Sequence, residues 1–274
     1  MIRPKKSLGQ NFLTDKNIAR KIVDALDIEP GEKVIEIGPG TGALSGILLE
    51  EGADLTAFEL DERAVSELRQ KFSGKYPDFK IVHGDFRETG LCSLQSGDYR
   101  LKVIGNIPYY ISSEVFFMLF ETAGCVSRAV LTVQKEVARR VASSPGSKEY
   151  GILSVARALT AAAKIEFDIN PGSFYPRPAV MSSVIGLDFH EEQIDKQEYE
   201  DVMKIVRAAF NRRRKMLRNS LDPYLRSKFG KSSSVVADEL KEVFPAISDF
   251  FQKRPEQISS EEFREFNRVL RKNL

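Results

Sequence analysis

The ten residues Lys33-Val-Ile-Glu-Ile-Gly-Pro-Gly-Thr-Gly42 join a short apolar run to three glycines at alternate positions. The run Lys33–Ile37 predicts a buried strand, and Thr41–Glu51 predicts the helix that follows it. Glycines between a strand and a helix let the backbone turn tightly and approach a ligand closely. The spacing is Gly-x-Gly-x-Gly rather than the dinucleotide Gly-x-Gly-x-x-Gly. By itself this turn is therefore weak evidence for a nucleotide-like ligand.

The alternation of strands and helices that includes this stretch continues to about residue 190. Further apolar runs predict strands at Leu55–Phe58, Phe79–Val82, Leu101–Gly105, Arg128–Val133, Ala163–Ile169 and Ser183–Phe189. Helical patterns lie at Asp15–Leu26, Asp61–Phe72, Ser112–Phe120 and Gln134–Val141. This order predicts an α/β fold with a mostly parallel seven-stranded sheet and helices on both faces.

The pattern changes after Phe189, where the alternation of strands and helices stops. Polar residues through Gln197 are typical of a linker, and the remainder is helical with turns such as Asp222-Pro223 and Arg254-Pro255. We therefore predict two domains, an α/β domain over residues 1–190 and a smaller helical domain over residues 191–274.

Composition and charge exclude several classes of protein. The 274 residues carry a formal net charge of +2, and 42% of them are hydrophobic, as expected for an ordinary packed core. No apolar run approaches the roughly 20 residues of a membrane span, and no apolar segment follows the first basic residues as in a signal peptide. The two cysteines and two histidines predict neither a disulfide framework nor a metal site. A reducing cytoplasm is expected.

Acidic residues stand at the ends of the first three predicted strands. Glu59 follows the first glycine by about 20 residues, the position from which an acid reaches ribose hydroxyls, although it could instead cap the next helix. Asp85 is placed to accept from an adenine amine, or it is a turn residue after Gly84. Glu36 adds a carboxylate beside the glycine turn. These acids would disfavour the diphosphate of NAD. S-adenosyl-L-methionine has no phosphate and carries a sulfonium cation, so it fits the acids better.

The segment Asn106-Ile-Pro-Tyr109 follows the fourth predicted strand and suits the binding of a nucleobase amine. The side-chain carbonyl of Asn106 can accept from the amine, as can the main-chain carbonyl of Ile107 beside Pro108, which has no N–H. Tyr109 can stack on the base, a contact of about 1–3 kcal/mol. The alternative is a proline turn in which Tyr109 only packs.

A basic run, Asn211–Leu221, contains five cations and no acid. Its members are Arg212, Arg213, Arg214, Lys215 and Arg218. Such a run predicts contacts to nucleic-acid phosphates that do not depend on sequence. The alternative is a solvated helix face whose Met216 and Leu217 pack inward.

Taken in order, these motifs resemble those of the ribosomal RNA adenine dimethyltransferases, and most of all the small-subunit branch of that family. The matching segments are Lys5–Leu13, Glu36–Gly42, Glu59, Gly84-Asp85, Asn106–Tyr110, Phe174–Val180 and Asn211–Leu221. The resemblance covers essentially the whole chain. It implies a Rossmann-like S-adenosylmethionine-dependent methyltransferase fold with a C-terminal helical domain that binds RNA and the ribosome.

The resemblance also implies roles for individual residues. The cofactor would be held by Asn11, Leu13, Glu36, Gly38, Gly40, Gly42, Glu59, Asp85 and Asn106. The target adenine would meet Asn106, Ile107 and Pro108, with Tyr109 and Phe174 on its two faces. Tyr110 departs from the Asn or His of many relatives, which affects the expected substrate preference but not the reaction.

The activity implied by the resemblance is dimethylation of two adjacent adenosines near the 3′ end of small-subunit ribosomal RNA. The expected partners are that RNA and the assembling small subunit, and a monomer is expected. One alternative is a large-subunit methyltransferase of the macrolide-resistance type, and another is a mainly non-catalytic assembly factor. An NAD-dependent dehydrogenase is disfavoured by the glycine spacing.

Overall fold

The computed structural model describes residues 2–88, 90–95, 97 and 99–274. The chain divides into two compact units. The first comprises Met1–Arg139 and Ala161–Glu192, and the second comprises Arg140–Thr160 and Gln193–Leu274.

The first unit is built around a seven-stranded sheet in the order β4-β3-β2-β5-β6-β9-β7. Its strands are β2 (Lys33–Ile37), β3 (Asp54–Glu59), β4 (Lys80–His83), β5 (Leu101–Asn106), β6 (Val126–Gln134), β7 (Ala161–Ile169) and β9 (Ser182–Phe189). All neighbours pair in parallel except β9, which runs antiparallel to β6 and to β7. This sheet confirms the predicted mostly parallel α/β fold.

The strand order reverses between β2 and β5, and this places a crevice at their carboxyl ends. From β2 the chain continues to β3 and β4 on one side, whereas β5 and β6 lie on the other. Ligands of open α/β sheets bind at such a switch point. Gly105 permits the close pairing, because a Cβ there would lie 2.7 Å from the carbonyl oxygen of Ile37. The glycine turn after β2 and the segment after β5 are thereby made neighbours.

Twelve α-helices connect and flank these strands within the described residues. They are α1 (Lys16–Asp24), α2 (Ala43–Glu50), α3 (Glu62–Phe72), α4 (Ser112–Glu121), α5 (Lys135–Ala142), α6 (Ile152–Thr160), α7 (Lys196–Phe210), α8 (Leu217–Ser220), α9 (Asp222–Phe229), α10 (Ser233–Leu240), α11 (Ile247–Gln252) and α12 (Ser260–Asn273). Their starts follow from the sequence: Asp15 accepts from the N–H groups of Asn17 and Ile18, and Ser259 forms a reciprocal capping box with Glu262.

The second unit is helical, but it also takes in a segment from the middle of the chain. Helix α6 packs against α7 and α12, and the hydroxyl of Tyr150 donates to the carbonyl of Ile258 at 2.9 Å. The predicted domain 1–190 is therefore wrong for residues 140–160. These residues stand between two elements of the first unit in the sequence, and only packing with distant helices reveals where they belong.

A second, two-stranded sheet joins the N-terminal segment to the segment after β7. Strand β1 (Phe12–Leu13) pairs antiparallel with β8 (Phe174–Tyr175), so that Phe12 faces Tyr175 and Leu13 faces Phe174. Leu13 and Phe174 lie in the core of the first unit. Thr14 continues the connection, since its N–H donates to the carbonyl of Ser173 at 2.9 Å. This pairing is absent from the sequence-based prediction.

Cys92 and Cys125 form a disulfide, with their Cα atoms 5.2 Å apart. The prediction that these cysteines form no disulfide is therefore wrong. Each cysteine precedes one of two neighbouring parallel strands, β5 and β6, whose first residues Leu101 and Val126 are paired. The sheet therefore brings together two segments that are 33 residues apart in the sequence.

The described ranges contain neither a membrane-spanning helix nor a cluster of metal-binding side chains. None of the helices in those ranges has both the length and the apolar character that crossing a bilayer demands. Across the same part of the chain, no three His, Cys, Asp or Glu side chains are grouped closely enough to hold a metal ion.

Candidate active site

One pocket of the first unit lies at the carboxyl ends of β2, β3 and β5. Most of the residues predicted to form a site line it: Asn11, Leu13, Glu36, Gly38, Gly40, Glu59, Asp85, Asn106, Ile107, Pro108 and Tyr109. Gly42 and Phe174 do not line it. Five segments that are far apart in the sequence therefore form one site: the N-terminal segment, the glycine turn after β2, the ends of β3 and β5, and the segment after β4.

The glycine turn after β2 lines this pocket through Gly38 and Gly40, and its glycines adopt backbone angles that favour glycine. Gly38, Gly40 and Gly42 have φ values of +65°, +56° and +75°. A Cβ on Gly40 would lie 2.9 Å from the ring of Phe12, which also lines the pocket. At Gly42 the added Cβ would instead meet Leu68 at 2.6 Å, so this glycine serves the packing of α2 on α3. Gly42 does not line the pocket, and its part in holding the cofactor stays a prediction.

Glu59, the last residue of β3, is buried and fixed by two main-chain groups. Its Oε2 accepts from the N–H of Gly40 at 3.0 Å, and its Oε1 accepts from the N–H of Asp61 at 2.9 Å. Burial raises the pKa of Glu59, and these two N–H groups act in the opposite direction. The helix cap of α3 is Asp61 rather than Glu59. The Glu59 carboxylate is thus oriented toward the pocket lining with lone pairs still available to ribose hydroxyls.

Glu36 lies within β2 and contributes a buried carboxylate that is only 1% exposed. Its Oε2 has no hydrogen-bond partner among the described residues. Burial raises the pKa of Glu36 to about 7, the hydroxyl of Ser45 opposes that rise, and the nearby Glu59 adds to it. A buried carboxylate without a partner is costly, and a cationic group bound in the pocket would relieve that cost.

Asp85 follows β4 and is held by an arginine that the sequence analysis missed. The guanidinium of Arg87 contacts both carboxylate oxygens, with Nη2 2.6 Å from Oδ2, and it also pairs with Glu114. The hydrogen bonds from Arg87 lower the pKa of Asp85. Asp85 therefore remains ionised, and its remaining lone pairs are those that could accept from an amine. The sequence shows Arg87 two residues after Asp85, but an acid and an arginine at this spacing occur in many structural contexts and do not by themselves indicate a site.

Asn106 ends β5 and is oriented by the N-terminal segment. Its Nδ2 donates to the main-chain carbonyl of Asn11 at 2.8 Å. Because the amide nitrogen is engaged, the side-chain carbonyl is the group left to accept from a ligand amine. The N–H of Ile107 donates to Thr132 on β6 at 3.0 Å, which holds the following turn in place. The hydrogen bond to Asn11 fixes the orientation of the Asn106 amide, and its part in binding a target amine stays a prediction.

Tyr109 and Phe174 were predicted to lie on opposite faces of one base, but the structure separates their roles. Tyr109 lines the pocket, and its hydroxyl is 2.7 Å from that of Ser182. Phe174 is 4% exposed and packs in the hydrophobic core. The predicted placement of Phe174 at the pocket is therefore corrected: in β8 its side chain shares the core-facing side with Leu13, while Tyr175 takes the other side.

The N-terminal segment covers part of the pocket through a network centred on Asp61. The Asp61 carboxylate, whose side chain is 0% exposed, accepts from Lys5 Nζ at 3.3 Å and from Gln10 Nε2 at 3.2 Å. Arg63 pairs with the same carboxylate at 2.6 Å and holds the pKa of Asp61 well below its usual range. Sequence reasoning missed this anchor, because its members are more than 50 residues apart.

The basic run lies in the second unit, and most of it is a turn between α7 and α8 rather than a helix face. Helix α7 ends at Phe210 and α8 begins at Leu217, which is buried, while Met216 is 40% exposed. Most of the cations, namely Arg212, Arg214, Lys215 and Arg218, are exposed, and three of them (Arg212, Lys215, Arg218) line a groove with Arg226 and Ser232–Ser234. Arg213 instead donates to the carbonyl of Lys148 at 2.6 Å. It therefore supports the fold of this unit.

Comparison with known proteins relates the whole chain to a single family. Residues 1–243 match the profile of the family described as ribosomal RNA adenine dimethylase. The chain is 41% identical over 262 residues to ribosomal RNA small subunit methyltransferase A of Salinibacter ruber, covering 95% of this chain and 83% of that protein.

Solved structures show the same relation at the level of the fold. A dimethyladenosine transferase from Plasmodium falciparum superposes with a TM-score of 0.77 at 25% identity, covering 94% of this chain and 98% of that chain. The 23S rRNA methyltransferase ErmE superposes with a TM-score of 0.64 at 24% identity, covering 93% and 98%, and shows the fold alone. These matches confirm the resemblance stated from the motifs. The chain belongs to the ribosomal RNA adenine dimethylase family.

Proposed function

We propose that this protein transfers methyl groups from S-adenosyl-L-methionine to N6 of two adjacent adenosines near the 3′ end of small-subunit ribosomal RNA. The observation that carries the proposal is the orientation of Asn106. Its amide nitrogen is held by Asn11, so its carbonyl oxygen is the acceptor beside the glycine turn. The similarity to a small-subunit methyltransferase across nearly the whole chain supports the choice of substrate.

The residues of the pocket fit the proposed methyl donor. When bound, S-adenosyl-L-methionine supplies an activated methyl group on a sulfonium cation. Glu36 offers a buried carboxylate to a cationic ligand, Glu59 offers acceptors to ribose hydroxyls, and Asp85 offers acceptors to an adenine amine. The glycine turn leaves room for close approach of the ligand. No basic side chain other than Arg87 lines the described pocket, which disfavours a diphosphate.

The pocket favours catalysis by orientation rather than by a strong base. No His, Cys or Lys occurs among the described residues that line it. The lone pair of an adenine amine is delocalised into the ring, so the amine is a poor nucleophile. Asn106 and the carbonyl of Ile107 would draw the amine protons aside and aim the lone pair at the methyl group. This is preorganisation of position and charge, and the proton then leaves to water.

The second unit would contribute phosphate contacts. Its exposed cations Arg212, Arg214 and Lys215 lie in the turn before α8, Arg218 lies in α8, and the run Asn211–Leu221 that contains them has no acid. Such contacts position the RNA without reading its bases. In this proposal the protein acts as a monomer in the cytoplasm on assembling small subunits, where the target nucleotides are still accessible. An adenine in an unpaired region leaves its stack at a lower cost than one in a duplex.

The experiment supplies labelled S-adenosyl-L-methionine together with unmethylated small subunits or, separately, large-subunit RNA. Mass spectrometry of the digested RNA then identifies the modified nucleoside and its position. We expect dimethyladenosine at two neighbouring small-subunit sites, lost in Asn106→Ala and retained in Asn17→Ala, a matched change on the exposed side of α1. Label in large-subunit RNA alone would assign the protein to that branch. Tight subunit binding without any label would leave an assembly factor.

A further inference from the structure

Tyr110 stands at the mouth of the pocket with an exposed ring that the mechanism above does not use. It is 58% exposed and lines the pocket beside Tyr109, within the one-turn 3₁₀ helix Tyr109–Ile111. Tyr109, in contrast, is half-buried and its hydroxyl is bonded to Ser182. A ring that mainly filled core space would be buried, so the exposure of Tyr110 points to a different role.

The ring of Tyr110 is supported on one side by the N-terminal segment. A Cβ added to Gly9 would lie 3.0 and 3.2 Å from Cδ1 and Cε1 of Tyr110, so the glycine backbone packs directly against the ring. Gly9 has a φ of +59° and lies next to Gln10, which is tied to the buried Asp61. The ring is therefore seated against an anchored segment and still exposes more than half of its surface. An aromatic ring held in this way loses little freedom when a flat ligand stacks on it.

We infer that Tyr110 forms a second base site, in which the nucleotide next to the target adenosine stacks while the target occupies the pocket. This inference rests on the proposed function, because a substrate with two adjacent adenosines always places a purine beside the one that is being methylated. Unpaired bases bound by proteins are commonly stacked on aromatic side chains. The ligand class is an unpaired purine within a single-stranded RNA segment.

The test compares Tyr110→Ala, Tyr110→Phe and Tyr99→Ala on unmethylated small subunits. Tyr99 is the matched control, since it is 84% exposed in the same unit but does not line the pocket. We expect Tyr110→Ala to lower kcat/KM for subunits by about 5- to 150-fold, the loss that corresponds to one base–aromatic stack. The kcat/KM of Tyr110→Phe and of Tyr99→Ala should stay within about twofold of that of the unmodified protein, because both variants keep an aromatic ring at position 110.

Two further readouts separate this role from its alternatives. The rise in melting temperature with S-adenosyl-L-methionine should be equal in Tyr110→Ala and the unmodified protein; a smaller rise would assign Tyr110 to the methyl donor and overturn the inference. Subunits in which the neighbouring adenosine is replaced by uridine should be poorer substrates, and Tyr110→Ala should add little further loss on them. Fully additive losses would show that Tyr110 does not contact that base. Failure of the unmodified protein to methylate small subunits would instead refute the proposed function.

Discussion

The buried carboxylate of Glu36 makes a quantitative prediction about stability and pH. Burial raises its pKa from 4.5 to about 7 in the folded protein. Between these two values the folded state binds a proton that the unfolded state does not, so the free energy of unfolding falls as the pH rises. With a folded-state pKa of about 7, the loss between pH 6 and pH 8 amounts to roughly 1 kcal/mol.

The substitution Glu36→Gln removes the titrating group and keeps the size of the side chain. The free energy of unfolding of the unmodified protein should therefore decrease between pH 6 and pH 8 by roughly 1 kcal/mol more than that of Glu36→Gln. In thermal unfolding this difference corresponds to about 2–4 °C for a unit of this size. Glu59 also has a raised pKa, but it is present in both proteins and contributes to both profiles.

The assay is denaturant unfolding at pH 6, 7 and 8 without added ligand, followed by circular dichroism because the chain contains no tryptophan. Glu62→Gln, on the exposed surface of α3, controls for the loss of one carboxylate. Parallel pH profiles for the unmodified protein and Glu36→Gln would refute the reasoning. S-adenosyl-L-methionine should also stabilise Glu36→Gln less than the unmodified protein, because the cationic ligand then lacks its buried partner.

Three other features of the structure make further predictions. The disulfide closes a 33-residue loop and should stabilise the folded protein by about 3–4 kcal/mol. Cys92→Ser and treatment with dithiothreitol should therefore lower the melting temperature equally. A melting temperature that does not respond to the reductant would mean that the thiols are free in solution. Gly42→Ala places a Cβ 2.6 Å from a side chain at a residue with a φ of +75°, so it should lower the free energy of unfolding in urea by about 2–5 kcal/mol. In the control Gly74→Ala the added Cβ meets nothing within 4 Å, and the loss should stay under about 1 kcal/mol. Asp61→Asn keeps a helix cap but weakens the ion pair with Lys5, which anchors the N-terminal segment. The KM for S-adenosyl-L-methionine should therefore rise about fivefold while kcat changes little. A fall in kcat alone would contradict this anchoring role.

The sequence alone was sufficient for the sheet and for most of the pocket. All seven strands of the main sheet were predicted, because each is a short apolar or alternating run bounded by polar or turn residues. The residues at the ends of those strands could be placed in one site for a simple geometric reason. Carboxyl ends of neighbouring parallel strands meet at one edge, so Glu59, Asp85 and Asn106 had to be close together.

The tertiary structure decided what depends on contacts between residues far apart in the chain. Phe174 and Tyr175 are both aromatic, and only the pairing of β8 with β1 determined that Phe174 packs in the core. The pairing of Cys92 with Cys125 followed from the adjacency of two strands, and no local pattern announces it.

The same distinction explains the two remaining differences. Residues 140–160 have a local pattern that fits either unit, and their packing against helices more than 30 residues away assigned them to the second. The anchor at Asp61 depends on Lys5 and Gln10 across a gap that the sequence does not reveal. Apolar periodicity and turn residues act over a few neighbouring positions, so the sequence by itself determined the elements and their order. Register, burial and charge pairing are set by surfaces that meet only after the chain has folded, so these were decided by the tertiary structure.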